Sequence, residues 1–150
     1  MVNAGVLLGP LSKGPVTLKD LHKICPHPIN PCRVELEGDA LKEIILQAQT
    51  EKMEQLEIKG LGFRGKIMGK MIYSGVQIET ITLSDGLRHI KSILVNGEQL
   101  DPKRIYTVAT IDMFTFGRMY PEIRDAKEKR FFMPEMLRDL LIDKLQKVYA

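Results

Sequence analysis

The sequence predicts a mixed α/β fold in which strands fill the middle of the chain and helices flank the sheet. Two of the supporting patterns are apolar residues at helical spacing near residues 40–54 and near residues 135–148. The third is a series of apolar or alternating segments between residues 70 and 111, separated by glycine turns. A length of 150 residues suits a single domain, residues 1–150, with a core of its own.

The first elements are predicted from a capping signal and a run of prolines. An apolar run at residues 2–8 suits an entering strand. Thr17 is a favourable N-cap and Asp20 stands where it completes a capping box, so a short helix is expected over residues 18–24. Prolines spaced along residues 26–31 then exclude a regular helix and favour an extended backbone.

A strand and a long helix are expected next. Residues 33–37 alternate, which places Val34 and Leu36 on one face of a strand and two glutamates on the other. Residues 40–54 are expected to form one helix with a single apolar stripe. The stripe consists of Leu41, Ile44, Ile45 and Ala48.

The second half of the chain is expected to contain most of the strands. Asn96-Gly97 is a strong signal for a tight turn, since both residues tolerate a positive φ. Residues 113–120 are expected to form an aromatic-rich loop, residues 124–130 a solvated charged run, and residues 135–148 a final helix. The expected strands are residues 70–73, 76–83, 87–95 and 105–111, and the inward-facing residues of the final helix are Met136, Leu140, Leu141 and Leu145.

The composition excludes several classes of protein. With 44% hydrophobic and 27% charged residues, it is that of an ordinary globular domain. A net charge of +3 is too balanced for nucleic-acid binding through bulk attraction. No apolar run approaches the ~20 residues that a membrane-spanning helix needs. Neither a nucleic acid nor a membrane is therefore expected as a partner.

The cysteines and histidines do not form a metal-binding motif. Cys25 and Cys32 are interpreted as reduced, buried residues beside a rigid loop, with a disulfide as the alternative. His22, His27 and His89 stand outside any constellation of acid, base, nucleophile or metal ligands. The sequence therefore predicts no catalytic residue and no metal site in this chain.

Several segments, in order along the chain, carry a family resemblance. They are Asn3-Ala-Gly5, Lys13-Gly-Pro-Val-Thr17, Val34-Glu-Leu-Glu-Gly38, Tyr73-Ser-Gly75 and the run VNGEQLDPKRIYTVATIDM that begins at Val95. Together they resemble the C-terminal domain of the 5'-nucleotidase and 2',3'-cyclic-nucleotide phosphodiesterase family of bimetal metallophosphoesterases. The resemblance covers nearly the whole chain.

The resemblance implies a layered α/β/β/α arrangement and a role in substrate recognition. It also implies that a separate N-terminal metallophosphatase domain, absent from this chain, holds two divalent metal ions and carries out hydrolysis. The expected partners are then a nucleotide or nucleoside-like small molecule and that N-terminal domain of the same parent chain. Alone, the chain is not expected to be catalytic.

The residues that hold the base in nucleotide-binding members of the family are only partly matched. There, two aromatic rings sandwich the base, and Arg and Asn side chains orient it. The second ring matches Phe131, whereas Lys70 stands at the position of the first. Ile72 and Leu8 stand where the family has an Asn or Gln and an Arg, and the loop at residues 117–121 is shorter.

Other residues are therefore expected to contact the substrate. The glycine-rich loop at residues 60–69 offers Phe63 to stack on a ring and Arg64 to pair with phosphate. The alternative is that Phe63 anchors this loop and Arg64 is solvated. The cluster of Phe114, Phe116, Met119 and Tyr120 forms either a satellite core, or a substrate wall or contact with the N-terminal domain. The predicted substrate-binding residues are Phe63, Arg64, Arg118, Tyr120 and Phe131.

A second function is kept beside the first. Because the base-binding positions have changed, the domain is alternatively a non-catalytic structural or interaction module with an exposed aromatic surface. Convergence of the predicted substrate-binding residues on one concave surface favours recognition of a small molecule. Scatter of the same residues favours the interaction module.

Overall fold

The structure, a computed structural model, describes residues 1–149, which contain eight strands and five helices. The strands are β1 (Val2–Asn3), β2 (Pro31–Glu37), β3 (Met71–Ile72), β4 (Val76–Thr82), β5 (Arg88–Val95), β6 (Glu98–Gln99), β7 (Ile105–Ile111) and β8 (Lys129–Phe131). The helices are α1 (Leu18–Ile24), α2 (Gly38–Ala48), α3 (Glu51–Glu54), α4 (Pro121–Arg124) and α5 (Leu137–Tyr149), and 3-10 turns lie at Ala4–Val6 and Asp112–Thr115.

The predicted mixed α/β class is confirmed, and the strands are distributed over three small sheets. Their orders are β1-β3, β7-β2-β8 and β4-β5-β6, and every pairing is antiparallel. β2 is the central strand of its sheet, with β7 on one side and β8 on the other. Asn96 and Gly97, with φ of 51° and 85°, form the predicted turn, which closes the short β5–β6 hairpin. β7 pairs with β2, so it does not belong to the sheet that contains β5.

The first predicted helix and strand are confirmed. The Thr17 hydroxyl accepts the Asp20 N–H at 3.2 Å, and the Asp20 carboxylate accepts the Thr17 N–H at 2.9 Å, so the capping box is complete. β2 alternates as expected, with Val34 and Leu36 buried. The same strand carries the chain directly into α2, whose stripe residues Leu41, Ile44, Ile45 and Ala48 are all buried.

The long helix predicted for residues 40–54 is wrong, because the structure divides it into α2 and α3. The Thr50 hydroxyl donates to the Gln47 carbonyl at 2.8 Å and accepts the Met53 N–H at 3.2 Å. A threonine that bonds to nearby backbone groups competes with the helical ladder, so Thr50 becomes the N-cap of a new helix. This break turns α3 and the segment after it toward the loop at residues 117–119.

Two predictions for the C-terminal third are confirmed only in part. Residues 127–130 are exposed, as expected of a solvated run, and the final helix forms as α5. The end of the charged run forms β8, whose residues pair with Cys32, Arg33 and Val34 of β2. α5 contains no buried residue, and Leu140, expected to face inward, is 45% exposed. The reason is that α5 lies at the surface against α1, anchored by the Leu137 N–H on the Ile29 carbonyl at 2.8 Å.

Two apolar clusters meet along α2. The larger cluster contains Ile44 together with β2 residues and the aromatic residues of the C-terminal half, and the smaller joins Leu41 and Ile45 to the β4–β5–β6 sheet. Cys25 and Cys32 are buried and free, and burial raises the pKa of the Cys32 thiol to about 12. Both cysteines therefore act as small apolar core residues.

Candidate functional site

A buried histidine ties the glycine-rich loop to the N-terminal segment. The His27 side chain is fully buried, and its Nε2 lies 2.7 Å from the Val6 carbonyl oxygen. Its Nδ1 accepts the backbone N–H of Arg64 at 2.9 Å. Because Nδ1 is an acceptor, the imidazole is neutral with its proton on Nε2, which donates to Val6.

The ring of Phe63 belongs to this anchor. It stacks on His27 with centroids 5.0 Å apart and an interplanar angle of 14°, and it is only 4% exposed. Contrary to the expectation, Phe63 therefore has no free face for a ligand ring, because one side lies on His27 and the remainder packs in the core. The alternative interpretation, an anchor for the loop with an exposed Arg64, describes the observed packing.

The burial of His27 predicts a specific pH dependence of stability. Desolvation lowers its pKa, with further repulsion from Arg64 and Arg138, while the hydrogen bond to Val6 acts in the opposite sense. In the unfolded chain the pKa is the ordinary value of about 6.5. The contribution of His27 is therefore complete above that pH and is lost as the pH falls toward the folded pKa.

We expect the urea midpoint to be lower at about pH 5.5 than at about pH 7.5. The difference between the two midpoints should shrink in His27→Gln, which cannot titrate. The control variant His22→Gln, at an exposed position of α1, should retain the wild-type difference. An equal pH difference in His27→Gln and the wild type would show that His27 does not contribute to it.

A second loop presents Arg118 on a fixed backbone. Gly117 makes the turn with φ of 71°. Arg124 Nη1 donates to the Gly117 carbonyl at 3.3 Å, and Gln47 Nε2 donates to the Met119 carbonyl at 3.2 Å. Both neighbours of Arg118 are thus held in place while its own side chain is exposed and forms no ion pair within residues 1–149.

Tyr120 lies beneath this loop. It is 1% exposed, and its ring meets that of Phe114 edge to face at 5.1 Å and 83°. Burial raises the pKa of the Tyr120 phenol. The satellite-core interpretation therefore describes this cluster, apart from the half-exposed Phe116. As with Phe63, the ring predicted to contact substrate instead supports the loop from inside.

The two loops meet and form a cleft of about 550 Å³. Leu61 Cδ1 lies 3.8 Å from the position that a Cβ on Gly117 would occupy, so the glycine-rich loop and the Arg118 loop are in contact. The apolar residues of the cleft are Met53, Leu56, Ile58, Leu61 and Met119. Its charged residues are Lys52, Glu57, Lys59 and Arg118. We refer to it as the Arg118 cleft.

Phe131 lies elsewhere. It is 40% exposed on β8, at one edge of the β7-β2-β8 sheet. Ile72 belongs to the β1–β3 sheet, and the N-terminus preceding β1 bonds to the Ala109 carbonyl of β7, on the other side of β2. The positions matched to the family's Asn or Gln and to its second ring, Ile72 and Phe131, therefore lie on different sheets, and Phe131 is not among the residues that line the Arg118 cleft.

The structure thus joins Arg118 to the glycine-rich loop and leaves Phe131 apart. Of the five predicted substrate-binding residues only Arg118 lines the cleft, so the set scatters, which is the outcome that favours the interaction module. Most residues that line the cleft were not predicted from the sequence to be site residues. Among them are Lys52, Lys59 and Leu61. Leu61 carried a usable signal, because it stands between two glycines. Nothing in the sequence marked Lys52, because its position depends on the break between α2 and α3.

The residues that the structure describes do not fit a metal centre. Within residues 1–149 no group of three or more His, Cys, Asp or Glu side chains is placed to hold an ion. The two divalent ions implied by the resemblance therefore have no set of ligands among these residues. Among the same residues, no helix has the length and apolar character needed to cross a membrane.

Comparisons with known proteins agree with this architecture. A family model described as 5'-nucleotidase, C-terminal domain matches residues 1–119. An uncharacterized metallophosphoesterase of Bacillus subtilis, YunD, is 61% identical over 145 residues, which are 97% of this chain and 31% of that protein. The chain thus spans about a third of the length of this relative.

Three solved structures share the fold. The 5'-nucleotidase precursor of Thermus thermophilus superposes with a TM-score of 0.71 at 17% identity, covering 97% of this chain and 28% of that one. The Haemophilus influenzae NAD nucleotidase has a TM-score of 0.70 at 18% identity, with 97% and 26% covered. A putative Staphylococcus aureus 5'-nucleotidase in complex with alpha-ketoglutarate has a TM-score of 0.64 at 24% identity, with 87% and 27% covered. The fold implied by the resemblance is therefore confirmed.

Proposed function

Since the chain belongs to the family of 5'-nucleotidase C-terminal domains, we propose that it is the substrate-recognition domain of a two-domain metallophosphoesterase. Its ligand would be a nucleotide or nucleoside-like small molecule. Hydrolysis would be carried out by an N-terminal metallophosphatase domain with two divalent metal ions. The family and the names of the similar proteins, a metallophosphoesterase and several nucleotidases, support a phosphoester substrate.

The observation that supports the proposal most strongly is that Arg118 has a fixed backbone and an unpaired guanidinium. Its backbone is fixed on both sides, its guanidinium has no carboxylate partner within residues 1–149, and an apolar cleft lies beside it. A free guanidinium on a rigid turn pairs bidentately with a carboxylate or phosphate at little cost in reorganisation. Arg64 and Phe131 are the other exposed candidates, whereas Phe63 and Tyr120 position the two loops.

The role of this chain in the proposed enzyme is positional. By holding the non-phosphate end of the substrate, the domain fixes the direction in which the phosphate approaches the metal ions when those are bound. Closure of the domain over the substrate excludes water from the reacting centre. The metal ions would supply a metal-bound nucleophile, and no residue of this chain takes part in that chemistry.

The direct test is thermal stability of this chain against nucleosides, nucleotides, cyclic nucleotides and nucleotide sugars. A ligand that binds only the folded state raises the melting temperature by mass action. We expect one class to raise it, and Arg118→Ala to abolish the shift. A matched control is Arg104→Ala, since Arg104 lies near the start of α2, at the end opposite the cleft, and is paired with Glu98 on the surface.

One observation favours the second candidate function, an interaction module. Phe131, Phe132 and Met133 are consecutive and 40%, 39% and 70% exposed, with Arg130 stacked 5.2 Å from the Phe132 ring. An apolar run of this kind suits a protein contact. No thermal shift with any nucleotide class, together with self-association that Phe132→Ser abolishes in sedimentation velocity, would support the module and contradict recognition.

A further inference from the structure

An unusual backbone conformation marks the edge of the Arg118 cleft. Gly60, Leu61 and Gly62 are three consecutive residues with φ of 82°, 55° and 78°. Glycine adopts this left-handed region freely, but a leucine there is an outlier. Leu61 is also 41% exposed, so core packing does not account for its presence. The Phe63 N–H donates to the Gly60 carbonyl at 3.0 Å, so these residues form a hydrogen-bonded turn that holds the Leu61 conformation. Conformations of this kind cluster at ligand sites.

The charges of the cleft provide an independent observation. Lys52, Lys59 and Arg118 line it, against the single carboxylate of Glu57. None of the three cations forms an ion pair in the described part of the chain. Cationic side chains gathered around one concavity raise the local concentration of anions. The cleft is therefore suited to a negatively charged group.

The floor of the cleft is suited to a planar apolar body. Met53 and Met119 are buried to 8% and 9% exposure and contribute two thioethers, and Leu56 and Ile58 complete the surface. Methionine sulfur makes favourable contacts with aromatic rings and adapts to their shape. A volume of about 550 Å³ lies within the range of small-molecule sites.

We propose that the Arg118 cleft binds an aromatic anion. Its ring lies on Leu61 and the methionine floor, and its anionic group, a phosphate or a carboxylate, pairs with Arg118 and the two lysines. This inference deepens the proposed function and rests on it for the ligand's role as substrate. Because the phosphate to be hydrolysed is required at the metal ions of the other domain, the substrate class is a phosphoester whose leaving group carries a second anionic group.

This site shares one segment, the loop at residues 117–121, with the positions given by the family resemblance. Leu8, Lys70, Ile72 and Phe131 are all absent from the lining of the cleft. Lys70 borders a different concavity, between α2 and the β4–β5 hairpin. Apart from that loop, which contains Arg118, the residues proposed here for ligand contact are thus not those matched to the base-binding residues of the family.

Calorimetric titration of this chain with four probes tests the proposal. Phenyl phosphate should bind, while phenol and inorganic phosphate, which each carry half of its chemistry, should bind at least roughly tenfold more weakly. Benzoate distinguishes the two anions: binding tighter than that of phenyl phosphate assigns a carboxylate. Binding should weaken with added salt, since the attraction is between exposed charges.

Two variants separate the site from the fold. Arg118→Gln should weaken phenyl phosphate binding by roughly tenfold or more, with Arg104→Gln as the matched control that retains it. Leu61→Gly removes the outlier conformation, so it should melt no lower than the wild type and yet bind more weakly. A loss of binding in a variant of undiminished stability cannot come from misfolding.

The possible results separate this inference from the proposed function. Equal binding of phenol and phenyl phosphate, or unchanged binding in both Arg118→Gln and Leu61→Gly, would overturn the aromatic-anion site. Phenyl phosphate binding that depends on Arg118, without any shift by nucleotides, would uphold the site while removing the nucleoside-like ligand from the proposed function. Nucleotide binding that is independent of Arg118 would support the proposed function and overturn the aromatic-anion site.

Discussion

Replacing His27 with alanine is expected to lower the free energy of unfolding by about 3–5 kcal/mol. The change leaves a cavity where a fully buried ring stacks on Phe63, and it leaves the Val6 carbonyl and the Arg64 N–H without the hydrogen bonds that they make to this ring. A domain of this size has a total stability of roughly 5–15 kcal/mol, so the loss is a large fraction of it. Urea denaturation measures it directly.

The control for this prediction is His22→Ala. His22 is exposed on α1, and its replacement should change the free energy of unfolding by less than about 0.5 kcal/mol. Because His27 joins the glycine-rich loop to the N-terminal segment, amides of residues 60–69 should also exchange faster in His27→Ala. A loss of stability below about 1 kcal/mol would contradict the anchoring role.

The sequence was most informative where a local signal and burial agree. The capping box of α1 and the alternation of β2 each follow from a few adjacent residues, and both elements form as predicted. The division of α2 from α3 was missed because a threonine on the polar side of a helical pattern can either continue the helix or cap a new one. That choice depends on where the segment after residue 54 packs.

The candidate site was harder to predict than the fold. An aromatic residue in a loop has the same sequence signature whether it stacks on a ligand or on a neighbour, and both Phe63 and Tyr120 prove to be buried. The pairing of Phe63 with His27 joins residues far apart in the chain, which no local pattern reveals. Arg118 was among the predicted substrate-binding residues, and the structure adds that its side chain is exposed and forms no ion pair within residues 1–149.

The second large effect is expected for Arg118→Ala in a protein that joins this domain to the proposed metallophosphatase domain. If Arg118 pairs with an anionic group of the substrate, the variant loses a charge-assisted hydrogen bond of about 1.5–3 kcal/mol. This corresponds to a fall in kcat/KM of roughly 10- to 150-fold. The effect should appear only with substrates that extend beyond the phosphate, because a phosphoester too small to reach the cleft makes no contact with Arg118.

The most direct test of substrate recognition by this domain is therefore a ratio of kinetic constants. We would measure kcat/KM of that two-domain protein for a nucleotide that carries a second phosphate group and for methyl phosphate, in the wild type, Arg118→Ala and the control Arg104→Ala. A selective loss with the nucleotide in Arg118→Ala, and unchanged ratios in Arg104→Ala, is the predicted result. Equal losses with both substrates, or no loss with either, would contradict a recognition role for the Arg118 cleft.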